Sequence, residues 1–265
     1  VAAATAAGIM VGHVPAYSLD EVSNHAIALW LACVRNVARN HEKLRAGGWD
    51  DLPQETMFRT TGKTFGLVAL GGIAQAVARK LSGWGMRLLA TDPFLDPSRA
   101  AELGVRLVDL ETLCRESDYI SLHAPLLPET RQMISHRELG WMKRGVIVVN
   151  TARGPLLDGE ALVAALNEGR VARAGIDVFE QEPPALDAPL RKHPNVILSD
   201  HIAWYSEESQ EELKVTVAEE AARVGKGGLP VAIANPEVLH KLGRWQEWKP
   251  TYNAQWQMKR IATVK

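Results

Sequence analysis

The sequence predicts a doubly wound α/β protein, a parallel sheet covered by helices on both faces. Two observations carry that prediction: short, continuously apolar runs recur from Thr64 onward, and stretches with helical periodicity separate them. Strands buried on both faces read as unbroken apolar runs rather than alternating ones. A chain of 265 residues with 46% hydrophobic and 23% charged side chains has the composition of a globular protein. At roughly 150 residues per domain it holds one large or two modest domains.

In chain order, VAAATAAGI reads as the end of a helix running into an apolar stretch stopped by Pro15. The chain thus starts inside an element, and sequence continuing upstream of Val1 is expected. Ser18 and Glu21 form a capping box. Val22, Ala26, Trp30, Cys33, Val34 and Val37 then recur at helical spacing. One long helix is expected over 19–46, closed by Gly47-Gly48, with apolar surface for a partner subunit as well as its own core. The strand candidates are 64–70, 87–91, 118–122, 146–150, 172–178 and 196–198. Helices are expected near 73–84, 110–116, 135–142 and 158–167, and again over 207–224 before the Asn235-Pro236 turn. The domains expected are a remnant at 1–15, a sheet domain at 16–206, a return segment at 207–240 and a tail at 241–265.

Thirty basic and 31 acidic residues leave a net charge of −1, which argues against general nucleic-acid or membrane-surface binding. No apolar run is long enough to span a bilayer. The two cysteines, Cys33 and Cys114, form no CxxC pair, which excludes a disulfide framework and a structural zinc site and fits a reducing, cytoplasmic setting. The tail differs: it holds six Lys or Arg against one Glu, with Trp245, Trp248 and Trp256 among them. Such a segment either packs its rings on the body of the protein or a neighbour, the favoured reading, or stacks on nucleic-acid bases.

Ala69-x-Gly71-x-x-Ala74 follows the first strand and opens a helix, the place for a turn that seats a pyrophosphate on a helix N-terminus. Gly71 holds the position where backbone must approach phosphate, whereas Ala69 in the first glycine position crowds the turn. Asp92 ends the second strand, 21 residues after Gly71. It either accepts bonds from the adenosine ribose, favouring NAD over NADP, or caps the turn before Pro93.

Three later segments lie at or just past strand ends: Asn150-Thr151-Ala152-Arg153-Gly154, Asp177 to Pro183, and Asp200 to Tyr205. They bring a guanidinium, a carboxylate and an imidazole to the edge where open α/β sheets bind ligands. With the TARG, DVFEQEP and HIA segments, the chain resembles the D-isomer-specific 2-hydroxyacid dehydrogenases over nearly its whole length. The His201–Ser206 stretch looks most like the C-terminal-binding-protein branch.

The resemblance implies a Rossmann-like sheet domain, remnants of a second, flavodoxin-like substrate domain, NAD as cofactor, and a homodimer through helix 19–46. Arg153 would hold the carboxylate of a 2-oxo acid and polarise its carbonyl, a task suited to a planar fork. His201 would be the acid and base of the reaction. Glu182 would fix its tautomer and keep it protonated. Asp177 would take the nicotinamide carboxamide. Trp204 would wall the substrate pocket, favouring a medium or large side chain, or simply pack. The remaining cofactor contacts implied are Ala69, Gly71, Gly72, Ile73, His123, Ala124, Pro125, Thr130, Thr151 and Ala152. His123 contributes through its backbone, and Asp158 only caps a helix.

Two departures stand out. The family commonly has Arg where this chain has Gly72, a loss of about 1.5–3 kcal/mol for one charge-assisted contact. It also has a first segment that would lie before Val1 and complete the substrate domain. Two functions are therefore carried forward: an NAD(H)-dependent D-2-hydroxyacid dehydrogenase, and a non-catalytic NAD(H)-sensing dimer like the C-terminal-binding corepressors.

Overall fold

The structure, a computed structural model, describes residues 1–50 and 56–248. Seven strands are present: β1 (Thr64–Val68), β2 (Arg87–Thr91), β3 (Val105–Leu107), β4 (Tyr119–Leu122), β5 (Val146–Asn150), β6 (Val171–Ile176) and β7 (Val196–Leu198). They pair in the order β3-β2-β1-β4-β5-β6-β7, every pair parallel. The order reverses between β1 and β4, the switch point where such sheets open a crevice at their carboxyl ends.

Both faces are buried, as the unbroken apolar runs require. In β5, Val146 and Val148 enter one core with Ile120, Leu122, Leu156 and Leu162. Ile147 and Val149 enter the other, with Trp30, Phe65, Leu67 and Tyr119. That is the two-residue period of a strand distributing side chains to opposite faces. Trp30 is fully buried, with its ring centroid 5.2 Å from both Phe65 and Tyr119. At Gly175 a Cβ would come within 2.8 Å of Leu29, so the glycine lets the helix Leu19–Arg35 lie close against β6.

The expected long helix is in fact two, Leu19–Arg35 and Val37–Arg45. Asn36 between them takes a left-handed backbone, φ 54°, a conformation that asparagine tolerates better than most residues. Val22, Ala26, Trp30, Cys33 and Val34 are all buried within this chain. Val37, by contrast, is exposed. The expected helix 73–84 stops at Leu81. The sequence reading also overlooked β3 and the helix Pro97–Glu102.

The chain divides into two compact units. Asp20–Trp204 carries the sheet; among the described residues, Val1–Leu19 and 205–248 form the other. In that second unit Gly12 and Ile233 make an antiparallel bridge. The buried Asn235 accepts from the Val11 N–H and donates to Thr5 Oγ1 and the Ile9 carbonyl. Ile233, Val238, Leu239 and Trp248 form its core, with Trp245 against it. The Trp245 ring stacks on His240 at 4.0 Å. Trp245 and Trp248 are thus packing residues; Trp256 lies outside the described residues. Among the described residues no helix is long and apolar enough to cross a membrane.

Candidate active site

β1 ends in the turn Ala69-Leu70-Gly71 and the helix Gly72–Leu81 begins, with Gly71 as its N-cap. Ala69 has φ 70°, the left-handed region that costs a residue with a Cβ about 1–2 kcal/mol. The crowding expected of alanine at that position is therefore present as backbone strain. A Cβ on Gly71 would meet nothing within 4 Å, so no protein contact demands glycine there. The space beside it is what an approaching phosphate needs. Gly72 and Ile73 form the first turn of the helix, where unpaired N–H groups favour an anion.

Asp92 ties the turns together. Its Oδ2 accepts from the Leu70 N–H at 3.0 Å, and its Oδ1 from Phe94 and Leu95 at 3.0 and 3.1 Å. It serves the capping role and places a carboxylate beside the glycine turn. On the neighbouring strand end, the His123 N–H donates to the Val68 carbonyl. Its Nε2 is buried without a partner, and burial lowers its pKa to about 4. Ala124 is buried and Pro125 exposed. The Thr130 hydroxyl donates to the Pro125 carbonyl at 2.6 Å and accepts from the Leu127 N–H. Thr130 thus closes its own loop.

β5 delivers the next segment. Asn150, almost fully buried, donates through Nδ2 to the Arg153 carbonyl at 2.9 Å and accepts from the Ala152 N–H at 3.0 Å. That clamp fixes residues 150–153 and leaves the Arg153 side chain exposed. Gly154 follows because nothing larger fits: a Cβ would lie 1.9 Å from the Phe179 backbone. Thr151 is buried and its Oγ1 has no partner, an orphaned hydroxyl suited to a polar ligand group. The open face at Gly71 and this hydroxyl both fit a bound NAD.

Beyond β6 and β7 the chain is held by one carboxylate. Asp177 is fully buried. Its Oδ1 accepts from Ser199 Oγ at 2.6 Å and the Ile202 N–H at 3.1 Å. Its Oδ2 accepts from the Ala203 N–H at 3.2 Å, and its backbone carbonyl from the His201 N–H at 2.8 Å. These bonds hold His201 in a left-handed backbone, φ 57°, the kind of local strain that functional sites retain.

His201 Nδ1 lies 2.7 Å from Glu182 Oε2, while Glu182 Oε1 accepts from the Phe179 N–H. Partial burial pushes the Glu182 carboxyl up, but the bonds from Phe179 and His201 and the charges of His201 and Arg153 outweigh it. Its pKa falls below the ordinary 4.5, so it is an anion at neutral pH. With Nδ1 engaged, Nε2 is the ring nitrogen left to face a substrate. Arg153, Glu182 and His201 are thus brought within electrostatic reach at one rim of the sheet. Trp204 follows as a half-buried residue, and Asp158 caps its helix by accepting from the Ala161 N–H.

Sequence reasoning missed three supports: the clamp by Asn150, the hydroxyl of Ser199, and His25 on the helix Leu19–Arg35. Only Asn150 had a sequence signal, its place at a strand end.

A glyoxylate reductase of Korarchaeum cryptofilum is 41% identical over 239 residues, 89% of this chain and 72% of that protein. A D-3-phosphoglycerate dehydrogenase of Methanocaldococcus jannaschii is 38% identical over 247 residues, 92% of this chain but 47% of that one. The chain therefore spans under half of that longer relative. Among solved structures, a D-lactate dehydrogenase from Aquifex aeolicus complexed with NAD and lactic acid superposes with a TM-score of 0.79. It is 31% identical, over 85% of this chain and 72% of that one. These relatives support an NAD-dependent dehydrogenase and not the sensor alternative. Residues 27–203 match the family model for the NAD-binding domain of D-isomer specific 2-hydroxyacid dehydrogenases, and the chain belongs to that family.

Proposed function

We propose that the chain interconverts a 2-oxo acid and a D-2-hydroxy acid, with Arg153, Glu182 and His201 as its catalytic residues. The observation that carries this reading is the 2.7 Å contact of His201 Nδ1 with Glu182, at a carboxylate that also feels the Arg153 charge. NAD, when bound, supplies or accepts the hydride at C2 of the substrate. Arg153 holds the substrate carboxylate through its fork of N–H donors. His201 passes the proton on Nε2 to the 2-oxo oxygen and takes it back in the reverse direction. Glu182 keeps the ring oriented and stabilises the imidazolium. Asp92, beside the glycine turn, disfavours a 2′-phosphate, and Trp204 walls the side-chain pocket.

The exposed Val37 and Leu44, within the 19–46 segment, support a homodimer through that region, and the cysteine usage supports a cytoplasmic setting. Sedimentation at micromolar concentration checks the dimer. The activity is tested by NADH oxidation with glyoxylate, hydroxypyruvate, pyruvate and phenylpyruvate. Turnover of at least one, abolished in His201→Ala, is expected. Tight NADH binding with no turnover of any of the four would return the sensor reading.

A further inference from the structure

One ionisable side chain outside the expected site is wired into it. His25 projects from the helix Leu19–Arg35 and places Nε2 2.8 Å from Ser199 Oγ and 3.5 Å from Asp177 Oδ1. The proton positions follow from donor counting. An ionised carboxylate only accepts, so the single Ser199 hydroxyl proton is spent on Asp177 Oδ1, at 2.6 Å. Ser199 Oγ can then only accept from His25, and the proton of His25 must sit on Nε2. The chain of donors runs one way, from the His25 N–H through the Ser199 O–H to the Asp177 carboxylate.

This relay has a consequence at the rim. Asp177 Oδ1 carries two bonds, from Ser199 and the Ile202 N–H. Oδ2 carries, among the described residues, the Ala203 N–H, so the two oxygens of this buried carboxylate hold the successive residues 202 and 203 beside His201. Bonds in such a chain polarise one another, so losing its first member slackens the last. We propose that His25 is a positioning residue, which through Ser199 fixes the Asp177 carboxylate so that its two oxygens hold the loop that carries His201. The proposal rests on the dehydrogenase reading above, in which His201 on that loop faces the substrate and the bound NAD.

The test uses the whole chain and the variants His25→Leu, His25→Gln, Ser199→Ala and the Leu/Ala double. Three readouts are compared: imidazole 15N shifts, NADH affinity by fluorescence, and kcat with the best 2-oxo acid. In the wild type His25 is expected as the Nε2–H tautomer or as imidazolium. His25→Leu and Ser199→Ala should each weaken NADH binding and lower kcat by roughly tenfold, the scale of one lost hydrogen bond. The double variant should be no worse than the worse single, the mark of residues acting as one unit. His25→Gln, which can still offer an N–H to Ser199, should recover most of the loss. A proton on Nδ1 with none on Nε2, unchanged binding in both single variants, losses that multiply in the double, or no rescue by glutamine each overturn the proposal. The tautomer and the NADH affinity need no turnover. A wild type that reduces no 2-oxo acid therefore sinks the dehydrogenase reading while leaving the relay to be judged, and a variant that fails to fold leaves the wild-type tautomer to decide.

Discussion

The glycine turn and the catalytic rim lie on the same sheet edge but are shaped differently. Around residues 69–72 the Asp92 carboxylate and the Gln75 amide hold Leu70, the fold accepts strain at Ala69, and nothing lies within 4 Å of a Cβ at Gly71. Around residues 150–203 side chains clamp the chain: Asn150 the backbone at 152–153, Asp177 the backbone at 202–203, and Glu182 the Phe179 N–H and the His201 ring. The turn is shaped for something that comes from outside, whereas the rim is shaped by the chain itself. Substitutions that break a backbone clamp at the rim should therefore fail through stability, and those that fill the turn should fail through affinity.

The largest effect is expected at Gly154. Alanine there meets the Phe179 backbone, and urea denaturation should register a loss of about 3 kcal/mol or more.

A second effect of similar size depends on pH. His123 titrates near 4 in the folded state against an ordinary 6.5. As pH falls below 6.5 the unfolded chain takes up a proton that the folded chain refuses, so stability is full above 6.5 and drains between 6.5 and 4. At about 1.4 kcal/mol per pH unit the loss reaches up to about 3 kcal/mol. Denaturation of His123→Gln across that window should lack this component.

At the turn, Gly71→Val should leave the melting temperature nearly unchanged, because φ −74° and ψ −172° suit any residue. NADH affinity measured by fluorescence should fall at least roughly tenfold, since the new side chain fills the space meant for the ligand. Smallest is Ala69→Gly: relief of the left-handed strain, less the added flexibility of the unfolded chain, should stabilise by about 0.5–1 kcal/mol in a denaturant titration.

The elements that were legible in sequence share one property, a strong local signal. β2, β5, β7 and the helix Leu110–Glu116 fall at the positions that their apolar runs and caps predict. β3 was not legible because the exposed Arg106 interrupts its three residues, Val105-Arg106-Leu107, so no apolar run marks it. The break at Asn36 was hidden because the helical apolar spacing runs through it to Val37. The same contrast holds at the site. Arg153, Glu182 and His201 sit in compact segments whose residue types announce chemistry. The bond from His25 to Ser199 spans 174 residues and belongs to no motif, so only the fold reveals it. Asp92 and Thr130 read as ligand contacts, and in the structure both also hold the turns around them.

The central claim is that His201, oriented by Glu182, delivers the proton that accompanies hydride transfer. Single-turnover stopped flow with NADH pre-bound, mixed with the preferred 2-oxo acid, tests it most directly by comparing wild type with His201→Ala. The account predicts similar NADH affinity in both and a hydride-transfer rate lower by about 10²–10⁴-fold in the variant. Equal transfer rates would contradict it.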